Sequence, residues 1–169
     1  FESNDIQNVN PNIDPIRDLE IIETEMKLAD LESIQKRLDK KNKKNSSENE
    51  INILETALDC INNDKNVEQS LNHNFSKKEL HQTGLLSTKP KLFVCNVDEK
   101  SISEGNNYTK EFISKFGEKN TIIISADIEN QINQLESEEK INYMKMINLK
   151  ETGLNTLIKK GYELLELET

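Results

Sequence analysis

Apolar positions in the first part of the chain recur at intervals of three and four: Leu19, Ile22, Met26 and Ala29, with Leu31, Ile34 and Leu38 on a neighbouring stripe. This spacing follows the helical turn and predicts an amphipathic helix of about seven turns. Asp14 suits a cap, and Pro15, with fixed φ and no N–H, suits the first helical position. Asp18 and Glu20 complement the positive end of the helix dipole. The polar run Lys40 to Glu50 interrupts the stripe, which Ile51, Leu54, Leu58 and Ile61 then restore. Two narrow seams joined by a polar tip predict an antiparallel helical hairpin of coiled-coil character, its second helix ended by Asn62-Asn63-Asp64. So slight a seam cannot stabilise a globule alone, so the hairpin is expected to project from a core.

Beyond the hairpin the period changes. Residues 62–74 are polar and read as a loop, and Ser76-x-x-Glu79 is a capping box opening a short helix to about Leu86, closed by Lys89-Pro90. Leu92-Phe93-Val94-Cys95 and Thr121-Ile122-Ile123-Ile124 are too short for helices and read as buried strands. Between them Tyr108, Phe112, Ile113 and Phe116 mark a helix stopped by Gly117, and helical patterns follow over about 128–147 and 152–167. Apolar strands alternating with helices indicate a parallel α/β sheet. Two strands leave open edges, so further strands are expected outside this chain. The expected organisation is a strand end and loop over the Asn-rich residues 1–13, a helical insertion over 14–88, and the C-terminal half of a core over 89–169.

Composition narrows the classes. The chain has 169 residues, 34% of them hydrophobic, and a net charge of −9. The apolar fraction is thin for a sheet protein and favours solvated helix, and the acidic balance argues against a general nucleic-acid coat. No run approaches the length of a membrane span, and two dispersed cysteines, Cys60 and Cys95, do not make a disulfide framework; both points favour a reducing cytoplasm and no membrane partner. The charge is polarised. Lys36, Arg37, Lys40, Lys41, Lys43 and Lys44 oppose only Asp39 between positions 36 and 44, a local +5 that leaves −14 for the rest of the −9 chain. Such a tip is either a wet lysine run, of the kind AT-rich coding produces alongside 22 Asn and 19 Ile, or a phosphate-contacting surface.

No self-contained catalytic or metal site is present in the sequence. The glycines stand singly at 84, 105, 117, 153 and 161, so neither a G-x-x-x-x-G-K-S/T nor a G-x-G-x-x-G loop occurs. His73 and His81 lack partners at zinc-ligand spacing, and Cys95 ends a strand, where burial accounts for it. Two short segments do stand out by position. Asn96-Val97-Asp98-Glu99 follows the first strand and Ser125-Ala126-Asp127 the second, at the carboxyl ends where open α/β sheets bind ligands.

On four blocks the chain resembles the YchF/Obg-like ATPases. These are Asp14-Pro15-x-Arg17-Asp18-x-Glu20 with Thr24-Glu25 and Leu28-Ala29-Asp30-Leu31-Glu32; Leu85-Leu86-Ser87-x-Lys89-Pro90; Asn96-Val97-x-Glu99; and Glu151-x-Gly153-Leu154-Asn155-x-Leu157-Ile158 with Gly161-Tyr162-x-Leu164-Leu165. The resemblance implies an internal piece of a P-loop NTPase of the translation-factor type. The phosphate loop, Mg²⁺ ligands and a TGS domain would then lie outside the chain, which alone would not hydrolyse ATP. It further implies ATP and Mg²⁺ as the parent's substrate and cofactor, and the ribosome, as large subunit or whole particle, as partner. By the same resemblance Asn96 approaches the adenine edge, Val97 packs near the base, Glu99 borders it, and Ser125 and Ala126 form the second base loop through backbone groups. Asp127 departs from the family pattern and is given no role. Two other readings stand beside this one: a non-catalytic helical interaction module, and a segment of a GTP-specific Obg-like GTPase.

Overall fold

The computed structural model describes residues 13–41 and 47–167. The chain forms two compact units, one spanning Arg17–Lys89 and the other holding the described residues 13–16 and those from Pro90 onward.

The first unit is helical: α1 (Pro15–Lys41), α2 (Glu48–Asn62), α3 (Val67–Asn72) and α4 (Lys77–Thr83). Two ion pairs show that α1 and α2 run antiparallel, since Arg37 pairs with Glu50 and Lys27 reaches Asp64 at 2.8 Å. Ile34 is buried with Ile53, Leu54, Ala57, Cys60, Val67, Leu71, Leu80 and Leu85 in one cluster. The seam therefore differs from the expected one. Ile22 is 55% exposed and Ala29 is also exposed, while Asp30 and Ile34 are the buried positions of α1. For Ile22 the reason is length: 27 residues make a rod of about 40 Å, and the 15 of α2 cover only about 22 Å of it. In α2 the buried face is Ile53, Leu54, Ala57 and Cys60, about one position round from the expected stripe.

The expected loop over 62–74 contains α3. Asn66 caps it by accepting from Gln69 N at 2.8 Å, and Val67 and Leu71, one turn apart, are its buried anchors. Two apolar residues in so polar a run give no period to read. The capping box at Ser76 and Glu79 forms as expected, but α4 stops at Thr83 because Gly84 adopts φ +70. The expected helix end at Leu86 is thus three residues too late. Leu86 and Ser87 are instead held by Asp30, only 2% exposed, whose carboxylate accepts from Leu86 N at 2.7 Å, Ser87 N at 2.8 Å and Ser87 Oγ at 2.5 Å.

The second unit is built on two parallel strands, β1 (Phe93–Asn96) and β2 (Thr121–Ile124), in a register that sets Phe93 beside Thr121 and Asn96 beside Ile124. α5 (Asn107–Phe116) makes the crossover and is stopped at Gly117 as expected. Phe112 and Phe116 pack on Phe93, with ring centroids 5.3 and 5.6 Å away. β1 is not buried on both faces: Cys95 is enclosed, whereas Val94 is 40% exposed. The helix expected over 128–147 is broken in two, α6 (Ala126–Gln134) and α7 (Ser137–Met146), because Leu135 is extended and Glu136 restarts the helix. The bend folds α7 back so that Tyr143, Met144 and Ile147 pack on buried Ile128 and Ile132. α8 (Gly153–Leu164) abuts the end of β2: a Cβ at Gly153 would lie 2.6 Å from Ile124 Cγ2. Lys160 Nζ fastens its far half by donating to Glu118 O at 2.9 Å and Thr121 O at 2.8 Å.

Candidate functional site

Parallel strands deliver their carboxyl ends to one edge, and the two singled-out segments meet there. Val97 N donates to Ile124 O at 2.8 Å, continuing the ladder one step past β1. Ala126 N donates to the side-chain Oδ1 of Asn96 at 2.9 Å. Loops thirty positions apart are thus tied by a side chain, and the carboxamide has its oxygen committed and its Nδ2 donor without a partner among the described residues. An amide N–H needs an acceptor, so this bond also fixes which way the Asn96 amide faces.

Asp98 accepts from Ser101 N at 3.1 Å and caps a 3-10 turn over Glu99–Ser101, which presents Glu99 at the surface. One Glu99 oxygen accepts from Gln131 Nε2 of α6, and Gln131 Oε1 accepts from the Tyr143 hydroxyl of α7 at 2.5 Å. Gln131 and Tyr143 carry no motif, and they lie 32 and 44 positions beyond Glu99; α6 carries Gln131 to Glu99, and the α6–α7 bend brings Tyr143 to Gln131.

Asn96, Glu99 and Ala126 are exposed, whereas Val97 is 5% exposed and Ser125 is fully enclosed. Most of the Val97 side chain therefore belongs to the core. Ser125 precedes α6 without capping it, and its Oγ has no hydrogen-bond partner among the described residues. Unpartnered hydroxyls are uncommon in protein interiors, and this one stands at the strand end between the two loops. On the far side, the Glu129 carboxylate accepts from Gly153 N at 2.6 Å and Leu154 N at 3.3 Å, which joins α6 to the start of α8. Burial pushes the Cys95 thiol up to about 11, so it stands as a protonated core group.

No protein-family model matches the chain. Curated relatives do. The "Ribosome-binding ATPase YchF" of Haemophilus ducreyi is 34% identical over 179 residues, covering 100% of this chain and 48% of that protein. Its Bacillus subtilis namesake is 32% identical over 178 residues, covering 100% and 49%. The solved structure of the Schizosaccharomyces pombe YchF GTPase superposes with a TM-score of 0.75 at 25% identity, over 97% of this chain and 47% of that one. From end to end, the chain matches the YchF family.

The chain spans about half the length of the curated YchF relatives it matches. Its fold is the α/β P-loop NTPase fold of the YchF neighbour, mostly helical here, with a small parallel sheet. Among the described residues no helix is long and apolar enough to cross a membrane, and no three His, Cys, Asp or Glu side chains group as metal ligands. At the basic tip, Lys36 pairs with Glu32, and Arg37 pairs with Glu50 and donates to Thr83 O at 2.6 Å. The side chains of Lys40, Lys41, Lys43 and Lys44 lie outside the described residues, as do positions 1–12 of the expected strand end and loop.

Proposed function

We propose that this YchF-type segment supplies the adenine-recognising loops of a ribosome-associated ATPase, with ATP binding and Mg²⁺-dependent hydrolysis residing in the protein as a whole. In this organisation residues 14–88 are a helical arm and 89–169 the base-reading half of the nucleotide domain. The observation that carries the reading is the Asn96–Ala126 bond, which joins the two loops at the carboxyl edge of the sheet.

The chemistry favours adenine over guanine. Asn96 keeps a free Nδ2 donor, and Glu99 keeps one oxygen beyond the one that Gln131 occupies. A neighbouring donor and acceptor complement adenine, which offers N7 as acceptor and its 6-amino group as donor; guanine offers two acceptors on that edge. A guanine carbonyl set against Glu99 costs on the order of 1–3 kcal/mol. Buried Val97 forms the floor, and the Ser125–Ala126 loop acts on the base through Asn96. The Mg²⁺ ligands are proposed to belong to the part of the protein that holds the phosphates, as the YchF resemblance implies.

Nucleotide titration of the full-length protein carrying this segment tests the site. ATP is expected to bind more tightly than GTP, and Asn96→Ala to weaken ATP; an unaltered ATP affinity in that variant refutes the base pocket, and a GTP preference favours the Obg-like GTPase alternative.

The arm is proposed to contact ribosomal RNA phosphates through Lys40, Lys41, Lys43 and Lys44, since Lys36 and Arg37 are already paired within the unit. Replacing those four by Glu is expected to weaken ribosome association, which should itself fall as salt rises. Salt-insensitive binding that survives the replacement rejects this contact and leaves the wet-tip reading. The protein's place of action is then the cytoplasm.

A further inference from the structure

We infer that Tyr143 and Gln131 are positioning residues for Glu99, which they hold as a fixed acceptor for the 6-amino group of a purine; this deepens, and rests on, the base-site reading above. The Tyr143 phenol has one proton, and it goes to Gln131 Oε1. With its oxygen so engaged, the Gln131 amide must turn Nε2 towards Glu99, where it donates to one carboxylate oxygen. Flipping the amide would set its oxygen against the acceptor-only carboxylate, losing that bond, and would turn the phenol from donor to acceptor. The orientation of Glu99 is therefore dictated from α7 through α6.

The relay stands on a rigid footing. Gln131 immediately precedes Ile132, and the Tyr143 ring packs on the cluster formed by Ile102, Ile128 and Ile132. Ile102 in turn directly follows the turn that carries Glu99. One apolar cluster thus sets the base of all three polar groups, while the groups themselves reach the surface. A carboxylate pinned at one oxygen offers the other in a defined direction, which penalises a purine carbonyl at that point. A carboxylate that is free to rotate can swing away and tolerate one.

The test is a double-mutant cycle on ATP and GTP affinity in the full-length protein carrying this segment. Tyr143→Phe keeps the ring and removes the proton; Gln131→Leu removes the bridge. Each is expected to lower the ATP-over-GTP affinity ratio roughly 3- to 10-fold, the range for one hydrogen bond. In a Glu99→Gln background, Tyr143→Phe should add nothing further. A ratio unchanged by Tyr143→Phe, or an equal effect with and without Glu99, overturns the relay. ¹⁵N-glutamine labelling separates the two levels of the claim. Should Asn96→Ala and Glu99→Gln both leave ATP affinity intact, the base site fails and the positioning role with it, even if the Gln131 side-chain amide signal still shifts in Tyr143→Phe. A Gln131 signal unmoved by Tyr143→Phe, with the base site intact, overturns the relay alone.

Discussion

The carboxylate of Asp30 holds Ser87 twice, accepting from its backbone N–H at 2.8 Å and from its hydroxyl at 2.5 Å, across 57 positions of sequence. A third bond, from Leu86 N at 2.7 Å, completes a buried clamp between α1 and the segment that follows α4.

Removing the clamp strands the buried amide and hydroxyl of Ser87 and the half-buried amide of Leu86. Asp30→Ala is expected to cost roughly 2–4 kcal/mol of unfolding free energy, from the penalty of leaving such groups unmet. Asp30→Asn keeps one acceptor and should cost less. Urea denaturation reads both, and an Asp30→Ala midpoint equal to that of the parent contradicts the clamp.

The approach of α8 to β2 leaves no room for a side chain at Gly153, where Ile124 Cγ2 lies 2.6 Å from the added Cβ and Glu129 Oε1 lies 3.1 Å from it. Gly153→Ala is expected to destabilise by about 1–3 kcal/mol through overpacking. Ile124→Ala removes the opposing methyl, so the double variant should be less destabilised than the sum of the singles. Additive losses would mean that the two residues do not meet.

Hydrogen bonds from the Ser76 side chain, the Ser76 backbone N–H and the Asn49 amide hold the Glu79 carboxyl below the usual carboxylate range. A lowered folded value stabilises the folded state above the unfolded pKa and loses that contribution as pH falls through the folded one. The start of α4 should accordingly loosen as pH falls through the ordinary glutamate range and below it. Amide exchange across Lys77–Thr83 reports it, and Glu79→Gln should flatten the profile. An exchange rate that ignores pH beyond its intrinsic dependence counts against the box.

With its thiol pushed up to about 11 by burial, Cys95 is almost wholly protonated near neutrality. Cys60 is buried as well. Both thiols should react with a disulfide reagent only as fast as the protein opens, and a denaturant should release them together with unfolding. Rapid stoichiometric labelling of Cys95 in the native protein would refute this.

Sequence alone determined the elements whose causes are local. Pro15 and the 3,4 spacing specify the long helix, Ser76 with Glu79 specifies the start of α4, Gly117 stops α5, and two apolar runs specify a parallel pair of strands. The same local signals marked Asn96 and Ala126, because the end of a strand is a position along the chain. Relationships across space were another matter. Whether Ile22 or Ile34 lies in the seam depends on how far α2 reaches along α1, and α3 becomes a helix only because Val67 and Leu71 find a cluster to enter. The bend at Leu135 is likewise unmarked by period, yet it brings Tyr143 to Gln131 and, through it, to Glu99. Hydrophobic period reports which face a segment would bury, and burial itself is decided by the partner that arrives there. For this chain the positions of the candidate loops were legible from residue order, while their joining by Asn96 and the orientation of Glu99 were decided only by packing among segments distant in sequence.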